Sequence, residues 1–331
     1  MNTHEENINY LIPNMNSAKH HFYNDPETTI EMWLADMDFS ICDAAKESLS
    51  KFIDNGDFGY GFIPNQYYES VLNWIKQYHN YGLEKSNIYV VPGVITAIYS
   101  IIYEFTEIND CVAFFSPTYH AFRDAVFDTG RNSLEIPLKE KEDYYEIDYS
   151  VFEELIKITH PKILIFNNPH NPTGTVFSVN DLQKMVTLAK KYNFLIISDE
   201  IHMDFVPCSK FESMINLFSN YSKIIVLTAP TKTFNIAGAK IANVIIGDFV
   251  IGKRFKERLK SYGIKTPNTI GISLTIVCYE KGSKWLKEVN RVIEDNYNYL
   301  LHEFGEFSDS IRIFKGEGTY FAWLKYLGAF L

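Results

Sequence analysis

The segment Leu195–His202, LIISDEIH, joins an apolar run directly to acidic and imidazole side chains. The run from Phe194 to Ile197 has the length and apolar continuity of a strand covered on both faces, as in a parallel sheet with helices on each side. Asp199 and His202 then follow the end of this predicted strand. Because a buried carboxylate needs a partner, two roles are open for Asp199: a helix cap or local ion pair, or a contact with a ligand.

From Asn87 onward, short apolar runs alternate with helical patterns. The predicted strands are IYVV, CVAFF, KILIF, FLIIS, KIIVL and NVII, and helices are predicted from about Val94, after Pro117 and around Asp181 to Tyr192. This alternation predicts an α/β fold with a doubly wound, mainly parallel sheet.

The pattern changes after Gly252, where long helical stretches dominate, above all Ser283 to Phe304. Two short strand-like runs follow, IRIF and TYFAWL, and together these features predict a smaller α+β unit. The first fifty residues lack the strand and helix alternation as well. We therefore predict a large domain over 51–264 and a small domain formed by 1–50 and 265–331.

Composition limits the classes of function. The chain has 331 residues, of which 46% are hydrophobic, enough for a large core and more than one domain. With 31 basic and 41 acidic residues the net charge is −10, and no basic run offers a surface for nucleic acid or anionic lipid. Nucleic acid is not an expected partner.

The cysteines and the N-terminus indicate the compartment. The four cysteines are scattered, with no C-x-x-C pair typical of zinc or redox sites, and no disulfide framework is indicated. The first ten residues, MNTHEENINY, are polar where a signal peptide would be basic and then apolar, and no apolar run approaches the roughly 18 residues of a membrane span. We expect a cytoplasmic protein.

Strand ends in such a sheet converge on one crevice, where a ligand is expected. In VVPGVITAI the chain leaves a strand through Pro92 and Gly93 and begins a helix at Val94 and Ile95. Free backbone N–H groups at a helix N-terminus can hold a phosphate. A glycine before a helix is also a common structural cap, so both readings stay open.

Two further strand exits carry polar or aromatic groups. In FFSPTYHAF, Tyr119 could stack on a flat ligand or pack in the core. In FNNPHNPTGTVF, the prolines and the glycine fix a turn that presents Asn171, which serves either as a hydrogen-bond donor to a ligand or simply as a turn residue.

Lys232 is the most informative residue. In LTAPTKTFNIAGAK it follows the predicted strand Ile224 to Leu227 and is surrounded by small and hydroxyl residues. Partial desolvation would lower the pKa of its amine and make it a nucleophile able to form a Schiff base with a carbonyl. The alternative is a solvated surface lysine. A lysine, an acid, an amide and a stacking ring at four strand ends favour one joint site.

The motifs, in this order and spacing, resemble the fold-type-I pyridoxal-phosphate enzymes of the aminotransferase superfamily, and most of all their cystathionine β-lyase (C–S lyase) subgroup. The segments that carry the resemblance span nearly the whole chain: WLADMDF (33–39), GYGF (59–62), PGVITAI, SPTYHAF, NNPHNPTG, SDEIHMDF and TKTFNIAGAK. The resemblance implies pyridoxal 5′-phosphate bound covalently to Lys232 as the cofactor.

The same resemblance implies roles around the cofactor ring. Asp199 would face the pyridine nitrogen and keep the ring a good electron sink. His202 and Asn171 would contact the ring hydroxyl, and Tyr119 would stack on the ring. Glu200 receives no such role and is interpreted as a structural polar residue.

The phosphate and substrate contacts are also implied by resemblance. The N–H groups of Val94 and Ile95 would hold the phosphate, assisted by Lys240 and Thr231. Tyr60 would reach the phosphate of a neighbouring subunit, which implies a homodimer. The substrate contacts implied are Ala35, Asp36, Tyr119 and Asn171. No metal ligand is assigned.

Members of the resembled subgroup continue past GTYFAWLKYLGAFL, and the further segment carries the arginine that pairs with the substrate carboxylate. Neither Arg291 nor Arg312 lies in the matching motif. We therefore expect cofactor binding but weak turnover. We also expect apolar residues near the end, such as Phe321, Trp323 and Phe330, to be exposed and to lower stability.

The favoured function is carbon–sulfur β-elimination, in which the amine of Lys232 removes the α-proton of the substrate and the sulfur at Cβ leaves, giving pyruvate, ammonia and a thiol. An aminotransferase shares the early steps and stays open. A weakly active or regulatory pyridoxal-phosphate-binding protein is a third possibility. A metal hydrolase using Asp199 and His202 is a fourth, and it leaves Lys232 and the phosphate-type turn unexplained.

Overall fold

The structure is a computed structural model that describes residues 8–10, 17–21, 30–56, 58–305, 307 and 309–328. Its strands, in chain order, are β1 Ile88–Val91, β2 Cys111–Ser116, β3 Asn132–Glu140, β4 Tyr145–Ile147, β5 Ile163–Asn167, β6 Leu195–Asp199, β7 Ile224–Thr228, β8 Ala242–Ile246, β9 Ile311–Ile313 and β10 Leu324–Tyr326.

The α-helices fill the segments between and after the strands. They are α1 Ala18–His21, α2 Asp43–Asn55, α3 Asn65–Ile75, α4 Val94–Phe105, α5 His120–Asp128, α6 Tyr149–Thr159, α7 Val179–Tyr192, α8 Pro230–Thr233, α9 Phe249–Ser261, α10 Thr269–Lys281 and α11 Ser283–Gly305. Side-chain caps define several starts: Ser178 and Asp181 form a capping box on α7, and Asp248 caps α9.

Eight strands form one sheet in the order β1-β8-β7-β6-β5-β2-β3-β4. Strands β3, β2, β5, β6 and β7 run parallel to one another, whereas β8 is antiparallel to both β7 and β1. Consequently β1, β2, β5, β6 and β7 all end at the same edge of the sheet. The predicted doubly wound α/β architecture is confirmed.

The central strands are apolar because both of their faces are covered. Every residue of β5, β6, β7 and β8 is buried. One hydrophobic cluster lies on each face of the sheet. Helices α4, α5 and α9 contribute to the smaller cluster, and α2, α3, α6, α7, α10, α11 and the N-terminal segment contribute to the larger one. Continuous apolar runs are what such two-sided burial requires.

Two strands were not predicted, β3 and β4. The sequence of β3, NSLEIPLKE, is mostly polar and contains Pro137, and most of its residues are exposed or half-buried. It pairs with β2 on one side and with only the three residues of β4 on the other. Local apolar content is therefore a poor signal for strands at this edge of the sheet.

The prediction of a strand over TYFAWL is wrong, because β10 begins only at Leu324. Thr319 has a left-handed φ of 79°, which breaks an extended strand. The expected exposure of Phe321 and Trp323 is also wrong: both are half-buried, and Trp323 Nε1 donates to the Tyr145 hydroxyl at 3.3 Å. Phe330 lies outside the described residues.

The smaller unit contains the two-stranded sheet of β9 and β10 together with the long helix α11. Helix α10 packs against both α2 and α3. The division into domains at 51–264 stays a prediction.

Candidate active site

Lys232 lies in α8, the single turn that begins at Pro230 directly after β7. Its Nζ donates a 2.7 Å hydrogen bond to the backbone carbonyl of Ala35, 197 residues earlier in the chain. Burial lowers the pKa of this amine, while the negative charges of Asp36 and Asp199 act in the opposite direction. A lysine with a lowered pKa is more often neutral, and therefore nucleophilic, than a surface lysine.

Asp199 is buried at the end of β6, the strand next to β7. Its Oδ1 accepts a 3.2 Å hydrogen bond from the backbone N–H of Ile201. Burial raises the pKa of Asp199 to about 7, with the positive charge of Lys232 acting against this rise. No ion pair to Asp199 is found within the described part of the chain. The side chain is thus a desolvated acid beside the candidate nucleophile.

His202 is also buried, and its Nδ1 has no hydrogen-bond partner among the described residues. Burial lowers the pKa of the imidazole to about 3, so the ring is neutral at physiological pH. The ring lies edge-on to Tyr320 and to Phe321, with centroid distances of 5.7 and 5.6 Å. A neutral imidazole with an unsatisfied nitrogen suits a hydrogen bond to a ligand.

Tyr119 is half-buried just before α5, where its ring lies edge-on to Phe122 at 5.8 Å. Burial raises the pKa of its hydroxyl, and the negative charge of Asp199 adds to this rise. Tyr119 follows β2 and Asp199 ends β6, and because these strands are parallel both residues stand at the same edge of the sheet.

The N-terminus of α4 follows Gly93, whose φ of 160° and ψ of 161° are extended. The first helical hydrogen bond runs from Ala97 N to the Gly93 carbonyl, so the N–H groups of Val94 and Ile95 stand ahead of the helical ladder. Val94 and Ile95 belong to the same hydrophobic cluster as Tyr119.

Thr231 and Lys240 flank the lysine turn. Thr231 is buried, whereas Lys240 is exposed and has a left-handed φ of 48°. The positive charge of Lys240 contributes to the lowered pKa of Lys232.

Two of the predicted site residues, Asn171 and Tyr60, have no described contact with Lys232, Asp199 or His202. Asn171 is half-buried before a cis peptide bond to Pro172, in the loop that follows β5. Tyr60 is fully exposed, so a single chain does not bring it into contact with the other candidates.

Glu200 has the structural role expected from the sequence. It accepts hydrogen bonds from the hydroxyls of Ser198 and Ser213, at 2.9 and 2.6 Å, and from the backbone N–H of Met214 at 2.9 Å. These bonds direct the carboxylate into the protein rather than toward Lys232.

Sequence reasoning missed Tyr320 and Asn235. The Tyr320 hydroxyl donates to the Ala35 carbonyl at 3.2 Å, the same oxygen that Lys232 contacts. Asn235 bonds the backbone of Met37 and Phe39. The sequence signal for Asn235 was its place in the motif TKTFNIAGAK, three residues after Lys232. The signal for Tyr320 was the aromatic segment TYFAWL, which was predicted to be a strand.

Arg291 and Arg312 take part in ion pairs elsewhere, Arg291 with Glu288 at 3.1 Å and Arg312 with Glu140 at 3.3 Å. Within the described ranges, no helix is both long enough and apolar enough to cross a membrane. The same ranges contain no group of three or more His, Cys, Asp or Glu side chains arranged to hold a metal ion.

A family model described as aminotransferase class I and II matches residues 33–328. The chain belongs to the class I and II aminotransferase family. The match covers β1 to β10 and every candidate site residue described above. Members of this aminotransferase family are enzymes, so the crevice at the sheet edge is the candidate catalytic site.

Among curated members, the chain is similar to cystathionine beta-lyase PatB of Bacillus subtilis, with 32% identity over 90% of this chain and 77% of that protein. It is also similar to a cystathionine beta-lyase of Corynebacterium glutamicum, with 25% identity over 92% of this chain and 80% of that protein.

Solved structures agree with this fold. Cystalysin from Treponema denticola, which contains a pyridoxal 5′-phosphate cofactor, matches with a TM-score of 0.84 and 32% identity over 88% of this chain and 74% of that one. The pyridoxal-phosphate-bound C–S lyase from Staphylococcus hominis matches with a TM-score of 0.89 and 27% identity over 96% of this chain and 82% of that one.

Proposed function

We propose that this aminotransferase-family chain is a pyridoxal-phosphate-dependent carbon–sulfur β-lyase that cleaves cystathionine or cysteine-type amino acids to pyruvate, ammonia and a thiol. The observation that carries the proposal is the desolvated amine of Lys232 beside the buried carboxylate of Asp199, at the ends of neighbouring strands. The similarity to proteins named cystathionine beta-lyase and C–S lyase supports this choice of reaction within the family.

The polar groups of the crevice fit the cofactor. Asp199 is a buried acid without an ion pair in the described chain, and the Nδ1 of His202 is buried without a partner there. Pyridoxal 5′-phosphate offers a ring N–H for an acid and a ring hydroxyl for an imidazole. Such complementary partners are what buried polar groups require.

The proposed cofactor contacts follow from these positions. Asp199 would hold the ring nitrogen, His202 and Asn171 the ring hydroxyl, and Tyr119 the ring face. The phosphate would be held by the N–H groups of Val94 and Ile95, where the positive end of the α4 dipole adds to the attraction, and by Thr231 and Lys240. When bound, the cofactor supplies an electron sink for the electron pair left on the α-carbon.

The remaining chemistry belongs to the chain. Lys232 would take the proton from the α-carbon, because its lowered pKa leaves the amine able to accept a proton. The Ala35 carbonyl holds Nζ at 2.7 Å and limits its direction. We propose that Ala35, Asp36, Tyr119 and Asn171 contact the amino-acid substrate.

We also propose a homodimer in which Tyr60 reaches the phosphate site of the partner subunit. Tyr60 is fully exposed in the single chain, and the apolar side chains next to it in sequence, Phe58 and Phe62, are exposed too, as are Ile30 and Met32. A second copy would cover this surface, since large exposed apolar patches mark protein interfaces. The proposed location is the cytoplasm, because the few cysteines are scattered along the chain.

The test is product analysis. The purified protein is incubated with pyridoxal 5′-phosphate and then with cystathionine, without any keto acid, and pyruvate and ammonia are measured. We expect equal amounts of both, and none with the Lys232→Ala variant. Keto acid formed only when an acceptor keto acid is added would instead identify an aminotransferase, which the family match also permits.

Covalent labelling tests the cofactor assignment separately. Borohydride treatment of the cofactor-loaded protein should fix one cofactor per chain, and peptide mapping should find it on Lys232. A label on another lysine, or no label, would overturn the assignment whatever the products are.

A further inference from the structure

The inference concerns the strap, which we define as residues 33–39 (WLADMDF). The strap contains no helix, and among the described residues its strand-like contact is an isolated bridge from Phe39 to Tyr10. Its Ala35 carbonyl accepts hydrogen bonds from Lys232 Nζ at 2.7 Å and from the Tyr320 hydroxyl at 3.2 Å. The position of the strap therefore decides where the amine of Lys232 finds its acceptor.

Asn235 holds the strap through three hydrogen bonds. Its Oδ1 accepts from the backbone N–H of Met37 at 3.0 Å, and its Nδ2 donates to the carbonyls of Met37 and Phe39 at 2.9 and 2.7 Å. One side-chain amide thus pairs with the extended backbone as a neighbouring strand would. This contact is long-range, because 198 residues separate Asn235 from Met37 in the sequence.

Asn235 and Lys232 belong to one short, internally bonded loop. Phe234 N donates to the Pro230 carbonyl at 2.9 Å, and Ile236 N donates to the Thr231 carbonyl at 3.0 Å. Asn235 has a left-handed φ of 55°, a conformation that asparagine and glycine tolerate better than other residues. The side chain of Asn235 therefore fixes the strap relative to the loop of residues 230–236, which we call the lysine loop.

A second residue, Lys19, also holds the strap. Lys19 is buried, and its Nζ donates to the Asp36 carbonyl at 3.1 Å and to Asp38 Oδ1 at 2.5 Å. Trp33 Nε1 in turn donates to the Lys19 carbonyl at 3.1 Å. Ala35 lies between Trp33 and Asp36, which both contact Lys19. The Asn235 contacts follow at Met37 and Phe39, so the strap has little freedom at the Ala35 carbonyl.

We propose that Asn235 is a positioning residue for Lys232, because it fixes the strap so that the Ala35 carbonyl receives and orients the lysine amine. The proposal rests on the proposed role of Lys232 as the reacting amine. If the strap is released, Lys232 Nζ loses its hydrogen-bond acceptor, the Ala35 carbonyl, and becomes more exposed to solvent.

The direction of the effect on the amine follows from its surroundings. The charged groups that act on Lys232 are Asp36, Lys240 and Asp199, and burial is the largest influence on its lowered pKa. Release of the strap admits water, and the pKa of Lys232 should rise toward its ordinary value. Asp36 belongs to the strap, and its negative charge raises the pKa of Lys232. Movement of Asp36 away from Lys232 would therefore lower this pKa, but by less than the loss of burial raises it.

The variant for the test is Asn235→Gly, because glycine keeps the left-handed backbone and removes only the side chain. The matched control is Asn193→Gly. Asn193 has a φ of 60°, and its side chain accepts an exposed hydrogen bond from Lys223, away from the strap. Asn235→Asp keeps the acceptor for Met37 N and loses both donors, and it replaces the glycine variant if that variant does not fold.

Two readouts need no cofactor. Hydrogen exchange of the peptide over 33–39 should be at least about tenfold faster in Asn235→Gly than in the wild type and unchanged in Asn193→Gly. Acylation of Lys232 by an amine-reactive ester, followed by mass spectrometry across pH, should give a higher amine pKa in Asn235→Gly only. Unchanged exchange and an unchanged labelling profile would overturn the proposal.

A third readout links the strap to turnover. With cystathionine, kcat of Asn235→Gly should fall roughly tenfold or more, since misplacing a reacting group lowers the rate strongly. If wild-type protein shows no β-elimination while exchange and labelling change as stated, the proposed function fails and the positioning role stands. If wild-type protein is active and Asn235→Gly keeps its kcat, the positioning role is wrong.

Discussion

The hydroxyl of Thr233 donates a 2.6 Å hydrogen bond to Asp204, which joins the residue after Lys232 to a buried carboxylate. The other oxygen of Asp204 accepts from Trp74 Nε1 at 3.0 Å and from the Tyr78 hydroxyl at 2.8 Å. Burial raises the pKa of Asp204, and these three donors act against that rise. Asp204 is thus satisfied by neutral donors from α3, the turn after it and the lysine loop.

The first prediction is that Asp204→Ala destabilises the protein strongly. Three buried donors lose their acceptor, and each unsatisfied group costs about 1 to 3 kcal/mol, so we expect a loss of roughly 3 to 5 kcal/mol in the free energy of unfolding. Urea unfolding measures it. The control is Asp148→Ala, which removes the N-cap of α6 and should cost about 1 kcal/mol. A smaller loss for Asp204→Ala than for this control would contradict the account.

The second prediction concerns the contact between the loop after β5 and the segment before β10. Gly174 has a φ of 71°, and a Cβ there would lie 2.6 Å from the Cα of Gly316 and 3.0 Å from the carbonyl oxygen of Gly318. The backbone N–H groups of Glu317 and Gly318 each donate to the Gly174 carbonyl at 2.9 Å. Gly174→Ala should therefore separate these two segments.

The matched control for that change is Gly130→Ala, since Gly130 has a φ of 73° and open space around it. Both variants carry the cost of a left-handed alanine, about 1 to 2 kcal/mol, and only Gly174→Ala adds the backbone clash. The melting temperature should fall clearly further for Gly174→Ala. Equal shifts would mean that the loop moves aside without cost.

The third prediction is a pH effect on the cofactor-free protein. The pKa of Asp199 is about 7 in the folded chain, against about 3.9 for an unfolded aspartate. Between these values the folded state binds more protons, so the contribution of Asp199 to stability is present at low pH and is lost as pH rises through about 7. The unfolding free energy of Asp199→Asn, relative to the wild type, should therefore increase from pH 5 to pH 8.

Urea unfolding at both pH values measures this difference. Glu200, His202 and His170 also have shifted pKa values, but they are present in both proteins and largely cancel in the comparison. A stability difference that does not change between pH 5 and pH 8 would show that Asp199 is already ionised in the folded chain at pH 5.

The fourth prediction tests whether Tyr60 acts across the proposed dimer. Lys232→Ala and Tyr60→Ala homodimers should each be nearly inactive. In a mixed dimer, one site receives Lys232 from one subunit and Tyr60 from the other, both intact. Random re-association should therefore restore roughly a quarter of the wild-type activity, since half of the dimers are mixed and each has one complete site. No recovery with demonstrated mixed dimers would place Tyr60 in its own subunit's site. Full activity of the Tyr60→Ala homodimer would place it in neither site.

Much of the fold was determined by local sequence. Of the eight predicted strand runs, six became β1, β2, β5, β6, β7 and β8, because strands covered on both faces need continuous apolar runs that are visible without any partner. The run IRIF became β9. The same logic located Lys232 and Asp199, since polar residues directly after such runs must stand at the sheet edge. Helix α11 was likewise visible from its own periodicity.

Only the tertiary structure decided which residues meet at that edge. The Ala35 carbonyl is bonded to Lys232, 197 residues away in sequence, and to Tyr320, 285 residues away. Asn235 is bonded to Met37 of the strap, 198 residues away. The edge strand β3 depends on its partner β2 rather than on its own apolar content. Periodicity and propensity describe a residue and its near neighbours, whereas these contacts depend on the path of the whole chain, which no local pattern records.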